Sequence, residues 1–341
     1  MAIGNQNFFK TCKCRCMHGL FLFVVSAFTL SAVHIAYAQD EVRYRLKWLI
    51  NMSTVGDIMA LQQGCFAEEG LDVLLKAGGP ERDAIRELEL GYADFGVASA
   101  DQVIYAIDKG SPVVVLAQLF QVNPLQWIYF KDKITIDSLA DLKGRTIGVT
   151  FGKNDEIIMR TLLAKSGISD RQVRLYSVRL DYTPFYKGAA DLWPVYINTQ
   201  GVEIGHKLTS SGAHIAFLNP AEHGVRFVAN SVVTSQQVLD QRPELVHRFM
   251  RALIKGWTMV LDSSLDVQII DGVQQYDRDT PRHLLVAQLN ATRPLIQPNR
   301  KTPVGQINPG AWEQTEEIML SYKQIKRPVN VMTRLRPVSL E

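Results

Sequence analysis

Between residues 43 and 119 the chain alternates short apolar runs with amphipathic stretches, most of them closed by glycine. This alternation constrains the fold more than any other feature. RYRLKWLI at 43–50 reads as a strand, and Ser53 or Thr54 then caps a helix through Gln63. Residues 71–75 read as a strand ending at Gly78-Gly79, and 80–90 as a helix closed by Gly91. A short strand at 93–97 precedes a helix over 101–109, capped by Ser99 and closed by Gly110. The branched run 113–119 reads as a buried strand. The connections are long enough for right-handed crossovers, so the strands are expected to pair in parallel, as in an α/β sheet.

The theme then restarts. A helical turn at 139–142 precedes Gly144, a strand over 146–149, a helix over 155–165 closed by Gly167 and a strand over 173–178. Another strand begins at 193–196, and 214–218 and 226–233 read as strands leading back to the first unit. Pro243 opens a long amphipathic helix over 244–261, where Val246, Phe249, Met250, Leu253 and Trp257 form a core stripe. Helices over 281–289 and 312–322 follow, with proline-rich connections over 294–309. The expected architecture is two α/β lobes, the second inserted into the first: 39–124 and 226–341 for one, 125–225 for the other. Their cleft lies at the crossovers near 121–127 and 220–230. Ligands of such sheets bind beyond the carboxyl ends of strands, at helix N-termini. That rule points to the loops 48–56, 78–80, 98–101 and 151–156.

The first 38 residues read as a cleavable export signal. Lys10, Lys13 and Arg15 precede the apolar run GLFLFVVSAFTLSA, and Ala36-Tyr37-Ala38 marks cleavage after Ala38. The run is shorter than the ~20 residues a spanning helix needs, and no cysteine at the cleavage site invites a lipid anchor. The formal charge of +3 equals the three basic residues of the signal, so the mature chain is near neutral. That argues against a nucleic-acid partner. Cys12, Cys14 and Cys16 lie in the signal, and Cys65 alone remains, so no internal disulfide is expected.

Catalytic patterns are missing. The sequence holds no G-x-S-x-G, no H-E-x-x-H and no phosphate loop of the P-loop type. His206, His214, His223, His247 and His283 show no ligand spacing. No catalytic residue, metal site or cofactor is assigned.

Residues 47–75, KWLINMSTVGDIMALQQGCFAEEGLDVLL, carry a strand, then Trp48-x-x-Asn51, then Gly56 in the next helix, then Gly64-x-Phe66-x-Glu68-Glu69-Gly70-Leu71-Asp72-Val73. This resembles the amino-terminal signature of periplasmic substrate-binding proteins of ABC importers. The branch is that for thiamine-pyrimidine precursors, related to nitrate and sulfonate binders. The resemblance continues through Gly91-Tyr92-Ala93-Asp94-Phe95-Gly96, 137–144, 188–198, 219–225 and 243–257, in order over nearly the whole mature chain. It implies the two-lobed periplasmic binding fold with its cleft at the hinge, a periplasmic monomer, no cofactor, and a permease with its ATPase as partners.

The expected ligand-binding set is Trp48, Asn51, Thr54, Gly79, Ser99, Ala100, Gln121, Gly152, Lys153, Asn154, Tyr196, Asn198 and Gln200. Trp48 supplies a flat apolar wall or packs in the sheet; Asn51 supplies a paired donor and acceptor or caps a turn. Ser99, Ala100 and Asp101 open a helix whose free N–H groups face the cleft. Asn154 caps another helix, and Lys153 beside it either pairs with an anionic group or is a solvated loop lysine. The resemblance places Tyr196 and Asn198 as contacts from the second lobe. An acid often follows that asparagine two residues on; here it is Gln200, which weakens an aminopyrimidine reading. Trp127 and Trp193 read as core. The competing solute is a small organic anion, and a sensor subunit for a separate receptor is a further option. A related eukaryotic enzyme makes the thiamine pyrimidine on this fold with a cysteine-rich segment and a cofactor-linked lysine; Cys65 alone does not supply the former.

Overall fold

The computed structural model describes residues 39–79, 82–179 and 181–339. The signal-segment readings, and Pro80 and Glu81 of the expected helix start, lie outside the described residues. Elements run β1 (Asp40–Arg45), α1 (Val55–Gln62), α2 (Cys65–Glu68), β2 (Leu71–Lys76), α3 (Ala84–Glu89), β3 (Phe95–Ala98), α4 (Ala100–Asp108), β4 (Val113–Gln118) and β5 (Leu125–Phe130). There follow β6 (Thr146–Val149), α5 (Asn154–Lys165), β7 (Arg174–Ser177), α6 (Thr183–Tyr186), β8 (Leu192–Tyr196), α7 (Gln200–Ser210) and β9 (Ile215–Leu218). The chain ends with β10 (Ser231–Ser235), α8 (Gln236–Gln241), α9 (Pro243–Met259), α10 (Asp266–Gln274), α11 (Arg282–Ile296) and α12 (Pro309–Ser321).

Two five-stranded sheets result, ordered β2-β1-β3-β10-β4 and β7-β6-β8-β5-β9. Both follow one plan. In each, the strand entering from the other sheet sits second from an edge and runs antiparallel to both neighbours. β10 pairs β3 and β4 in this way, and β5 pairs β8 and β9. The remaining pairs, β1 with β2 and β3, and β6 with β7 and β8, are parallel. The two incoming strands are therefore the joints between the halves.

The core of the first sheet is the expected α9 stripe. Val246, Phe249, Met250, Leu253 and Trp257 are all buried. Phe249 stacks on Phe95 at 3.8 Å between centroids and meets Tyr44 edge-on at 5.1 Å. α9 crosses α1 closely because glycines face the crossing: a Cβ on Gly56 would lie 2.1 Å from the Trp257 ring, and one on Gly256 2.5 Å from Ala60. In α12, Glu316 accepts backbone N–H bonds from Val329, Asn330 and Val331 at 2.6, 2.9 and 2.7 Å. This anchors the C-terminal segment, whose Arg336 N–H donates to the Val115 carbonyl.

Several expectations are corrected. β1 stops at Arg45 rather than residue 50, because the chain turns away beyond it and the Trp48 carbonyl accepts from Gly78 N–H. Thr54 holds the N-cap position of α1 but its side chain makes no capping bond; Asn51 caps the turn before it, its Oδ1 accepting from Ser53 N–H. The strand read at 226–233 starts only at Ser231. Pro294 lies within α11 rather than in a connection. β5, α2, α6, α7, α8 and α10 have no counterpart in the sequence reading. α7 (QGVEIGHKLTS) contains two glycines and is held by burial of Ile204 and Leu208 against the second sheet rather than by helix propensity.

Candidate functional site

The loops at the strand ends converge on a cleft of about 890 Å³, including its open mouth, lined from both sheets. One wall follows β1: Lys47, Trp48, Asn51, Ser53, Thr54 and Asp57. The other follows β6, β7 and β8: Thr150, Lys153, Asn154, Asp155, Val178, Arg179, Tyr182, and the run Trp193 to Tyr196, with Thr199 and Gln200. Leu125 and Asn230 contribute from the two crossovers.

Of the thirteen expected residues, Trp48, Asn51, Thr54, Lys153, Asn154, Tyr196 and Gln200 line this cleft, and Gly79, Ser99, Ala100, Gln121, Gly152 and Asn198 do not. Ser99 and Ala100 are fully buried at the start of α4. Gln121 donates to the Gln118 and Gln306 carbonyls. Gly79 bridges to Arg82, and Gly152 N–H donates to Glu156. Asn198 is fully buried and ties the halves together, its Nδ2 donating to Thr292 Oγ1 at 2.9 Å and Ser53 Oγ at 3.3 Å. Of the two core tryptophans, Trp127 is buried with its Nε1 on the Gly148 carbonyl, whereas Trp193 is buried yet lines the cleft.

The polar chemistry of the cleft is partly unfilled. Trp193 Nε1, Asn154 Nδ2 and Asn230 Oδ1 are buried and have no hydrogen-bond partner among the described residues. Such groups cost ~1–3 kcal/mol each when left unmade. Gln200 is differently engaged: its Oε1 accepts from Thr199 Oγ1 at 2.7 Å and Tyr196 N–H at 3.2 Å, holding the start of α7. Lys47, which the sequence reading did not select, reaches across the cleft and donates to Tyr196 Oη at 2.8 Å.

Two buried carboxyls face the cleft. Burial pushes Asp155 up to about 6, against the pull of the Thr150 N–H that donates to it. Burial likewise raises Asp57 to about 7, although Tyr44 Oη and Trp257 Nε1 both donate to its Oδ1, at 2.7 and 3.3 Å. Neither acid stands out in the sequence, because nothing in the local pattern tells a buried aspartate in a helical first turn from an exposed one. No group of three or more metal-ligating side chains is found among the described residues.

This two-sheet arrangement is the fold of the two-lobed periplasmic binding proteins. The alkanesulfonate-binding protein SsuA from Xanthomonas axonopodis pv. citri, bound to MOPS, superposes with a TM-score of 0.66 at 17% identity, over 88% of this chain and 99% of that one. The profile of the NMT1/THI5 like family matches residues 51–264, and the chain belongs to that family. It is 27% identical over 312 residues to the formylaminopyrimidine-binding protein of Halalkalibacterium halodurans, covering 86% of this chain and 88% of that one. It is 26% identical over 314 residues to the riboflavin-binding protein RibY of Chloroflexus aurantiacus, covering 86% and 84%. It is also 26% identical over 221 residues to the 4-amino-5-hydroxymethyl-2-methylpyrimidine phosphate synthase of Legionella pneumophila, covering 64% and 68%.

Proposed function

We propose that this chain is the exported, solute-capturing component of an ABC importer, working as a periplasmic monomer after removal of residues 1–38. Lobe 1 comprises 39–124 and 226–341, and lobe 2 comprises 125–225. The lobes close by hinge motion at the two crossovers around a planar heterocycle of the thiamine-pyrimidine-precursor type. The closed form then docks on the permease and its ATPase. The observation that carries this reading is the trio of buried, unpartnered polar atoms beside aromatic walls. Two donors and one acceptor at fixed positions suit a ring with hydrogen-bonding edges, and Trp48 and Tyr196 offer faces for it. The names of two relatives, a formylaminopyrimidine binder and a riboflavin binder, support a heterocycle. The task is affinity and shape presentation, without bond chemistry; turnover of the bound solute would overturn that part.

One observation favours a second reading. Lys153 and Arg179 line the cleft with no ion-pair partner among the described residues, which suits a small organic anion. Two substitutions separate the readings. With a heterocycle, Trp48→Ala is expected to weaken binding by about tenfold or more, as loss of a buried aromatic face would, and Lys153→Ala far less. With an anion the order reverses, and affinity falls with added salt. The solute itself is found by thermal unfolding of residues 39–341 against pyrimidines, thiamine, flavins, sulfonates, nitrate and aromatic carboxylates. A ligand at ~100 times its Kd adds ~2.7 kcal/mol of stability. A shift with anions alone rejects the heterocycle.

A further inference from the structure

Resting on the capture reading above, we infer that Asp57 is a specificity-determining residue of the cleft. Its carboxyl accepts a hydrogen bond from an amino group on the solute, so the class captured is an amino-substituted heterocycle in preference to its oxo counterpart.

Asp57 is 1% exposed and sits in the first turn of α1, on the same wall as Trp48, Asn51 and Thr54. A buried carboxyl is costly unless its oxygens are satisfied. Tyr44 Oη and Trp257 Nε1 both use Oδ1, and no described residue donates a side-chain bond to Oδ2. Fixing Tyr44 and Trp257 alone would need only a neutral acceptor, such as an asparagine carbonyl. A carboxyl here adds a second acceptor at the cleft. Of the other acceptors on the cleft walls, Gln200 Oε1 holds the start of α7 and Asp155 Oδ2 holds the loop before α5, while Asn230 Oδ1, a neutral amide oxygen at the crossover, has no partner among the described residues.

The charges around Asp57 leave it without an ionic partner. From β1 it meets Tyr44, and from α9 it meets Trp257. The cations of α9 pair elsewhere: Arg248 with Asp40, Arg251 with Glu69 and Lys255 with Glu68. On the α10 side, Asp266 pairs with Arg293 and Asp271 with Arg282. On its own wall Lys47 donates to Tyr196, and across the cleft stand Lys153, Asp155, Arg179, Tyr182 and Tyr196; among the described residues none forms an ion pair with Asp57. Burial raises this carboxyl to about 7, against the pull of Tyr44 and Trp257. A solute amino group donating to it favours the charged form, so binding releases a proton. Affinity is then full above 7 and falls as pH drops through that value.

The test is calorimetric titration of residues 39–341 with 4-amino-5-hydroxymethyl-2-methylpyrimidine and its 4-oxo analogue, at pH 8 and pH 6. The wild type is expected to prefer the amino compound by about tenfold or more, an acceptor facing a donor rather than another acceptor. Affinity for the amino compound is expected to drop about tenfold further at pH 6 than in Asp57→Asn. The variant keeps an acceptor for Tyr44 and Trp257 but turns a donor toward the solute, so its preference should shrink or invert. The solute's own titration is common to both proteins and cancels in that ratio. Equal preference and equal pH slopes in the two proteins would overturn the role of Asp57 while leaving capture of a heterocycle intact. Failure of the wild type to bind either compound brings down the capture reading, and this inference with it. If Asp57→Asn does not fold, the wild type titrated at pH 7 in two buffers of different ionisation enthalpy decides. Proton release with the amino compound is the expected result, and none overturns the proposal.

Discussion

Gly256→Val is expected to destabilise the protein by about 3 kcal/mol or more, lowering its melting temperature by roughly 10 °C. The position lies at the closest approach of α9 and α1. A Cβ there would fall 2.5 Å from the backbone nitrogen of Ala60 and 2.6 Å from its Cα, so the obstacle is main chain and cannot swing aside. Relief requires the two helices to separate, and α9 carries Phe249 and Trp257, which hold the core under the first sheet. Separation also lifts Trp257 from Asp57 on the cleft wall. Solute affinity should therefore fall together with stability, and thermal unfolding with and without solute measures both.

Glu316→Ala is expected to cost about 3 kcal/mol or more, because three backbone N–H groups lose their acceptor at once and each is worth ~1 kcal/mol or more when stranded. The bonds to Val329, Asn330 and Val331 span 2.6 to 2.9 Å, and Glu316 is only 8% exposed. The segment they hold continues to Arg336, which bonds to β4. The expected signature is selective: hydrogen exchange should accelerate over 329–336 while α9 keeps its protection. Uniform acceleration would show instead that this segment and the main core unfold as one unit.

β1, β2, β3 and the helices between them are legible because their signals are local; β4 is legible as a strand for the same reason, but the expected parallel pairing is corrected, since β10 lies between it and β3 and pairs it antiparallel. Branched runs such as Val113-Val114-Val115, and glycines after helices, carry their meaning within a few residues. The α9 stripe was legible for the same reason. What stayed hidden depended on distant partners. β5 reads as an ordinary apolar run, and only its pairing between β8 and β9 makes it the middle of a sheet. Within the cleft, Trp48, Asn51, Lys153, Asn154 and Tyr196 stood out by type and by position after strands. The resemblance places Asn198 with Tyr196 as a contact, but β8 ends at Tyr196 and Asn198 lies in the turn before α7, where strand alternation no longer sets its direction. It ends buried against Ser53 and Thr292. Lys47 and Asp57 gave no signal, since their importance arises from what β8 and α9 bring against them.

The position of β10 has a consequence for how the chain assembles. Among the described strands β4 pairs with β10 alone, which follows it after the entire second sheet, apart from single bridges to Gly305 and Leu335. A chain emerges from the ribosome N-terminal end first, so β4, buried along its whole length in the finished protein, is left with an open edge meanwhile. The first sheet closes only when residues 231–235 arrive, whereas β5 to β9 already hold every partner they need. The second sheet is therefore free to complete first, and closing the first sheet is a non-local insertion, the slow kind. During that wait Val113-Val114-Val115-Leu116 is the segment most exposed to pairing with another chain, and refolding yield should depend steeply on protein concentration.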